Sequence, residues 1–463
     1  MTSDPRAAAA AKMRAAGCHD AAVATFLAQL DRLRSGDRGV IADSELEPLL
    51  ELPDAAALDR PSRARTTDLL DGTVVLKLNG GLGTSMGLAG PKSLLPVKDG
   101  ATFLDLIARQ VLDLRSRTGA RVPLVLLNSF ATREPSLQAL AKYPQLTQDV
   151  ALDVVQNKVP KLRADDLLPV SRPDAPQLEW APPGHGDLYT VLLTSGLLDQ
   201  LLDNGYHTVF VSNADNLGAT LDAAILAWFV DTGAPFALEA ADRTAADRKG
   251  GHLALLRDGR LTLREIAQTP AEDIAAFQDT GRHRFFNTNN LWINLASLRE
   301  LLTARAGVMD LPFIVNEKTV DPADASSVPV VQLESAMGSA LGTWPGARAI
   351  RVPRSRFTPV KTTNDLLVTR SDAYRIDDRV QLQLAPARAG NPPIGDLDPV
   401  YYRNVADFDA RFPAGVPSLI DCDRLSIDGD VRFGPDVVLH GSIALKHTGT
   451  AQLVVPPGTE LIC

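Results

Sequence analysis

Cysteine is scarce. The 463 residues contain Cys18, Cys422 and Cys463, far apart and outside any CxxC or Cys/His spacing. That pattern excludes a disulfide framework and the usual structural zinc sites, and it points to a cytoplasmic protein. Long apolar runs are missing as well. Stretches such as Val122–Leu127 fall far below the ~20 residues that cross a bilayer. The segment Met1–Leu30 is Ala-rich with interspersed Asp and Arg, and lacks an apolar core followed by a cleavage site. It reads as amphipathic helix and not as a signal peptide. Positive charge is in deficit, 47 Lys and Arg against 56 Asp and Glu, for a net charge of -9. This argues against binding nucleic acid or an anionic membrane through net charge, while leaving room for a local basic pocket. Lysine is rarer still, 11 of the 47 basic residues. A chain so biased toward Arg is expected to keep Lys where a compact ammonium is needed and a planar guanidinium does not fit.

What is present is ordinary for a globular chain that buries a sizeable core: 45% hydrophobic and 22% charged residues, with 33 Gly and 32 Pro that carry no period. At roughly 150 residues per domain the length suggests about three units. Residues 1–66 read as a helical extension, with Ala7–Ala16 and Ala21–Leu33 rich in helix formers and apolar residues three and four apart. Pro53–Arg65 reads as a connector. From Thr73 onward, short apolar strands (Val74–Leu78, Val122–Leu127, Thr208–Val211) alternate with helical stretches such as Phe103–Leu114 and Ser195–Leu202. Alternation of this kind implies βαβ units and a doubly wound, mostly parallel sheet. Small polar residues follow each strand at once: Asn79-Gly80, Asn128-Ser129 and Ser212-Asn213. Open α/β sheets bind ligands outside the carboxyl ends of their strands, so chemistry is expected there. Beyond about residue 375 the helical signal fades, and Val431, Val437 and Ile443 fall six residues apart, the mark of a parallel β-helix.

The densest signal runs from Leu78 to Ser93, with Gly80, Gly81, Gly83, Gly87 and Gly90 after a buried strand. Such a loop frees the backbone to wrap around an anion with its amides pointing inward. The dinucleotide fingerprint GxGxxG fails here, because Gly87 comes one residue too late after Gly81 and Gly83. The GxxxxGK[ST] phosphate loop fails too, since Pro91 separates Gly90 from Lys92 and removes an amide. No Ser/His/Asp order, Cys nucleophile or metal-type His pair stands out.

The loop resembles the nucleotide-binding loop of the eukaryotic-type UTP–glucose-1-phosphate uridylyltransferases. The related UDP-N-acetylhexosamine enzymes carry Ala-Thr-Arg-Leu-Gly where this chain has Gly83-Thr84-Ser85-Met86-Gly87. The resemblance continues through Asn128-Ser129-Phe130, Pro182–Asp187, Ser212–Ala219, Lys249-Gly250-Gly251, Glu265–Gln268, Phe286–Trp292 and Pro353–Thr363. It implies a Rossmann-like nucleotidyltransferase (GT-A-like) core over 67–375, flanked by the helical extension 1–66 and a left-handed parallel β-helix over 376–463, the last a means of homo-oligomer formation that stays open. It also implies Mg²⁺-dependent uridylyl transfer from UTP to glucose 1-phosphate. The same transfer to N-acetylglucosamine or galactose 1-phosphate, and a non-catalytic nucleotide-sugar-binding regulator, are the alternatives.

Residue by residue, the resemblance makes Lys361 the catalytic cation and Lys92 a second one, clamped on the triphosphate. Asp215 becomes the Mg²⁺ ligand, a hard carboxylate suited to that ion. Leu78, Asn79, Gly80, Gly81, Gln156, Gly184 and Asn213 fall in the nucleotide site, where the Gln156 amide can both donate to and accept from a uracil edge. The sugar phosphate falls to His185, Asn213, Gly251, Glu265 and Asn289. The segment Gln156-Asn157-Lys158-Val159-Pro160-Lys161 departs from the family's usual Gln-Ser-Arg-Tyr-Pro-Arg, and Val159 takes the place of its Tyr.

Overall fold

The computed structural model describes residues 4–244 and 247–463. Its centre is a ten-stranded sheet. The strands are β1 (Leu46–Pro48), β2 (Thr73–Asn79), β3 (Leu124–Asn128), β4 (Asp153–Val155), β5 (Thr208–Asn213), β6 (Phe236–Asp242), β7 (His252–Leu256), β8 (Leu261–Arg264), β9 (Phe285–Asn294) and β10 (Arg348–Arg351). The main path runs β1–β7–β9–β5–β2–β3–β4, with β8 beside β7 and β6 bonded to both β9 and β10. Strands β5, β2, β3 and β4 are mutually parallel, in registers such as Phe210↔Val75, Leu76↔Val125 and Leu127↔Val154. Both faces of β2 are covered: Val74 and Leu76 join one hydrophobic cluster and Val75 another. This is why the strand reads as a continuous apolar run. The crossover from β2 to β3 is the helix α4 (Phe103–Thr118), which follows α1 (Pro5–Ala15), α2 (Asp20–Arg34) and α3 (Arg63–Asp71). A Thr102–Asp105 capping box opens α4, and Gly119 in the left-handed region closes it.

The expectation of a mostly parallel sheet needs correction, because the sheet is mixed. Strand β9 is antiparallel to β5 and β6, and β7 is antiparallel to β1, β8 and β9. The reason lies in the connections. A tight turn at Gly259 joins β7 to β8, with Leu256 N–H on Arg260 O at 2.8 Å, and a hairpin can only produce antiparallel neighbours. A helical reading of all of 1–66 also needs correction at Leu46–Pro48, which is edge strand β1, with Leu46↔Leu256 and Pro48↔Ala254 in register. The connector likewise ends inside α3, which starts at Arg63 behind the Ser62 cap. Helices α1 and α2 form as their apolar spacing requires. They bury Met13, Phe26 and Leu30 against Phe313 and Leu333 of a separate three-stranded sheet made by Phe313–Thr319, Pro329–Ser335 and Leu162–Arg163.

After residue 393 the chain forms β11 (Ile394–Leu397), β12 (Ser418–Asp428), β13 (Val431–Phe433), β14 (Val438–Lys446), β15 (Leu453–Val455) and β16 (Glu460–Ile462). All pairs here are parallel: β11–β12–β14–β16 in one sheet and β13–β15 in another. The six-residue period is real, since Val431, Val437 and Ile443 are buried to 0%, 2% and 6% exposure. Leu425 lies opposite Ile443, a stacking offset of three such periods. The same hydrophobic cluster runs from Val75 and Phe210 through Tyr402 and Phe412 to Leu425 and Leu439, so one core spans the sheet's outer face and the C-terminal strands. Among the described residues no helix is long and apolar enough to cross a membrane.

Candidate active site

The Gly-rich loop leaves β2 at the carboxyl edge of the parallel strands. Gly83 and Gly87, at φ 66° and 72°, bracket a single helical turn over Thr84–Met86. That geometry strains any residue with a Cβ. The loop then returns on itself, with Lys92 N–H donating to Gly81 O at 3.1 Å. A side chain on Gly80 would meet Gln156 Oε1 at 3.0 Å, so the Gln156 amide packs directly on the loop's backbone. Gln156 itself is held by its N–H on Asn128 O at 2.8 Å. The next residue, Asn157, is fixed by its N–H and Nδ2 on Asp187 at 2.7 and 2.9 Å. Burial pushes the Asp187 carboxyl up to about 6, against the pull of those two bonds.

Lys92, Asp215 and Lys361 are 123 and 146 residues apart along the chain, yet both lysines reach one oxygen. Lys92 Nζ lies 2.7 Å and Lys361 Nζ 3.1 Å from Asp215 Oδ2. Lys92 and Asp215 are mostly covered, at 15% and 13% side-chain exposure, whereas Lys361 is 54% exposed. Burial works to raise the Asp215 pKa, but Lys361 and Lys92 together outweigh it and hold the carboxyl below its ordinary range. The other oxygen, Asp215 Oδ1, is buried with no hydrogen-bond partner. A buried unpaired carboxylate oxygen is costly, and it marks a place where a ligand is expected. The turn carrying Asp215 is anchored by Ala214 N–H on Leu78 O at 3.1 Å, so the Leu78 carbonyl is engaged inside the protein.

His185 follows Gly184, whose φ of 80° and ψ of 171° suit only glycine. A Cβ there would lie 2.5 Å from Ser335 O, so the backbones touch. Met337 N–H donates to His185 Nδ1 at 3.0 Å, which leaves the ring proton on Nε2. Burial, helped by the positive charge of Lys361, lowers the His185 pKa to about 4. The ring is therefore neutral near pH 7. Its sensitivity to Lys361 ties it to the same cluster.

Glu265 lies at the end of β8. Burial raises its pKa against bonds from Asn287 and the Gly251 N–H. A Cβ on Gly251 would sit 2.5 Å from both carboxylate oxygens, so only glycine admits this contact. Asn289 sits in a bulge of β9, where the register with β6 jumps between Glu239↔Asn290 and Ala240↔Asn287. Its φ of 58° is a left-handed conformation that Asn tolerates. The turn is closed by Asn289 N–H on Asn287 Oδ1 and Asn287 Nδ2 on Asn289 Oδ1, both 2.9 Å.

Not every residue singled out from the sequence is free for a ligand. Asn79 is buried, with Nδ2 donating to Asn128 Oδ1 at 2.7 Å and Ser136 Oγ at 2.8 Å, so only its main chain faces the loop. Asn213 closes β5 half-exposed, in register with Leu78. Lys249 is exposed, and Gly250 beside it makes room for the Phe286 ring, which a Cβ would meet at 2.0 Å. The sequence reading missed Asp365, whose Oδ2 accepts from Lys361 N–H and Thr362 N–H at 2.8 Å and fixes the segment behind Lys361. The readable signal was Thr362-Thr363-Asn364-Asp365, a capping-box pattern.

A family model described as UTP–glucose-1-phosphate uridylyltransferase matches residues 25–440. The UTP–glucose-1-phosphate uridylyltransferase of Solanum tuberosum is 41% identical over 428 residues, 92% of this chain and 85% of the relative. The Saccharomyces cerevisiae protein of the same name is 42% identical over 388 residues, 84% of this chain and 76% of the relative. Among solved structures, a UDP-glucose pyrophosphorylase variant from Leishmania major in complex with UDP-glucose superposes with a TM-score of 0.94 at 43% identity, covering 100% of this chain and 99% of that one. A UDP-glucose phosphorylase structure from Trypanosoma brucei gives 0.91 at 44% identity, with 99% and 98% covered. With an ordered match over most of its length, the chain belongs to the UTP–glucose-1-phosphate uridylyltransferase family.

Proposed function

We propose that this chain transfers a uridylyl group from UTP to glucose 1-phosphate, releasing pyrophosphate and forming UDP-glucose. The observation that carries the reading is the meeting of Lys92 and Lys361 on one oxygen of Asp215 beside the Gly-rich loop. A sugar-phosphate oxygen attacks the α-phosphorus of UTP as the bond to pyrophosphate breaks in line. The attacking oxygen is already anionic, so no general base is needed. The barrier lies in bringing two polyanions together and in the charge on the leaving group, which positioned cations relieve. In the free protein the two ammonium groups rest on Asp215. A bound triphosphate offers them stronger partners, Lys92 toward the triphosphate and Lys361 toward the α-phosphate.

The residues also fit Mg²⁺. Asp215 Oδ1 is a buried carboxylate oxygen without a partner. Among the described residues no three His, Cys, Asp or Glu side chains cluster as an all-protein metal cage. That suits an ion held by one carboxylate plus substrate oxygens. Bound by Asp215, Mg²⁺ would screen the charge between the two substrates. Gln156, Gly184 and the backbone of Leu78–Gly81 take the uridine in this reading. Glu265, Asn289 and Gly251 take the glucose hydroxyls, with neutral His185 donating from Nε2 and Asn213 completing the phosphate side.

The finer architecture belongs to the same proposal: a doubly wound, GT-A-like catalytic unit over 67–375, a helical extension over 1–66 and a left-handed β-helix over 376–463. The parallel C-terminal strands with their eighteen-residue offset support the last. Self-association through that unit, with exposed Val454 and Ile462 at its end, and action in the cytoplasm complete the reading. The test is pyrophosphate release from UTP with a panel of sugar 1-phosphates. Glucose 1-phosphate should be preferred, and a clear preference for an N-acetylated sugar would overturn the assignment.

A further inference from the structure

We propose that the buried Glu239–Arg356 ion pair is a positioning device for this reaction, holding the segment that carries Lys361 against the turn that carries Asp215. The proposal rests on the uridylyl-transfer reading and adds residues that touch no substrate. Glu239 stands on β6 in the middle of an apolar strand, and its side chain is 0% exposed; that of Arg356 is 10% exposed. The carboxylate is saturated. Oε1 accepts from Arg356 Nη2 at 2.7 Å and Trp292 Nε1 at 3.0 Å, and Oε2 from Arg356 Nε at 2.7 Å and Asn290 Nδ2 at 2.9 Å. This is the bidentate fork that fixes a guanidinium in direction as well as in place.

From Arg356 the contacts lead to the reacting groups. Its main-chain O accepts from Asn216 Nδ2 at 3.1 Å and Asn290 Nδ2 at 3.3 Å. Asn216 Oδ1 in turn accepts from Thr358 N–H at 3.0 Å. Asp215 O accepts from Val360 N–H at 3.2 Å, one residue before Lys361. Gly218 allows the two backbones to touch, since a Cβ there would lie 2.3 Å from Ser355 O. The far side of the turn is held by buried Lys77, whose Nζ donates to Ser212 Oγ at 2.7 Å and Ala219 O at 2.8 Å, one at each end. Both the Asp215 turn and the Lys361 segment thus hang on buried ionisable side chains. A buried ion pair is often no more stabilising than an apolar pair of the same volume. Stability alone therefore does not account for this one, whereas control of the Asp215–Lys361 separation does.

The experiment compares wild type, Glu239→Gln, Lys361→Ala and the double variant by steady-state kinetics in both substrates, with thermal unfolding as a fold control. Glu239→Gln opens the fork at nearly constant volume. The expected result is a loss in kcat of about 10–100-fold, the cost of misplacing a reacting group by about 1 Å. Both KM values should stay within about threefold. The double variant should be slower than Lys361→Ala by far less than the Glu239→Gln loss in the wild-type background, because Glu239 acts chiefly by placing Lys361 against Asp215. Wild-type kcat in folded Glu239→Gln, or losses that multiply in the double variant, would overturn the proposal. If Glu239→Gln does not fold, Asn216→Ala cuts the same link further along. It must show the same kcat-only, non-multiplying loss, and its absence overturns the proposal equally. A wild-type chain that releases no pyrophosphate would instead refute the uridylyl-transfer reading itself.

Discussion

On the proposed role of Lys361, its replacement by Ala separates catalysis from folding, because the two expected effects differ greatly in size. The side chain is 54% exposed, and its one ionic partner among the described residues, Asp215, also holds Lys92 at 2.7 Å. An exposed ion pair contributes about 0.2–1 kcal/mol, so the variant should lose less than about 1 kcal/mol of stability. Its melting temperature should drop by roughly 2 °C at most for a chain of this size. The kinetic effect is larger. Removing one preorganised group that meets charge developing in the transition state costs about 10²–10³ in kcat, or roughly 2.7–4 kcal/mol.

The assay is pyrophosphate release at saturating UTP and glucose 1-phosphate, with UTP affinity measured separately by calorimetry. The expected variant is folded, binds UTP close to normally and turns over about 10²–10³ times more slowly. A spectroscopic check comes from His185. Lys361 is the secondary cause of its low pKa, after burial, so the ring should titrate above about 4 in the variant. Lys92→Ala should behave differently. Lys92 is 15% exposed and gives the shorter bond, so its loss should weaken both the fold and UTP binding. The reasoning fails if Lys361→Ala keeps kcat within about threefold of wild type, or if UTP affinity falls as far as the rate does.

Stability should fall as the pH drops from about 6.5 toward 4. Desolvation lowers the pKa values of His185, His252 and His283 from 6.5 to about 4, about 2 and about 4, so the unfolded chain takes up protons that the folded chain refuses. Asp187, raised from 3.8 to about 6, works in the opposite sense over most of this window, and so does Glu265, whose pKa burial also raises. The balance of roughly one to two protons gives about 1.4–2.7 kcal/mol per pH unit, and equal urea midpoints at pH 7 and pH 5 would refute it. Gly184→Ala should destabilise by about 2–5 kcal/mol and weaken UTP binding, through backbone strain and the clash with Ser335 O. A variant with the wild-type melting temperature would contradict that geometry. Chelation by EDTA should abolish turnover, and added Mg²⁺ should restore it, while the melting temperature of the substrate-free protein stays fixed. Full activity in excess EDTA would remove the metal role of Asp215.

Motif-scale features were readable from the residues because each is local. The Gly-rich loop stands out by its composition alone, whereas Lys92, Asp215 and Lys361 were singled out by the family resemblance of the short segments that carry them. The six-residue period of Val431, Val437 and Ile443 announced stacked parallel strands. Partnerships across the chain were not readable. Nothing in Leu46-Glu47-Pro48 shows that it pairs with β7, since three residues carry no period. The antiparallel half of the sheet was missed for a related reason, because an isolated apolar strand does not declare the direction of its neighbour. Glu239 within Phe236–Asp242 was not singled out from the sequence, and only the structure shows it as a charge in a buried strand. Its partner Arg356 lies 117 residues away, and only the fold brings them together.

Lysine scarcity acquires a different meaning from the structure. The sequence assigned the few lysines to ligand motifs, and Lys92 and Lys361 do converge on Asp215, while Lys249 is exposed. Lys77, Lys98 and Lys161, however, are buried at 2%, 8% and 5% exposure, and each donates to main-chain carbonyls. Lys77 reaches Ala219 O, Lys98 reaches Arg370 O and Ser371 O, and Lys161 reaches Val320 O. An ammonium presents three donors from one point and fits a cluster of carbonyl oxygens at the end of a segment. A guanidinium is larger, planar and built for a fork of two acceptors, the role that Arg356 fills on Glu239. Arg-for-Lys exchange at Lys77 would drive a wider group into the space under the Asp215 turn. Lys77, Lys98 and Lys161 thus serve to close buried turns, and at Lys77 that use stands directly behind the turn of Asp215.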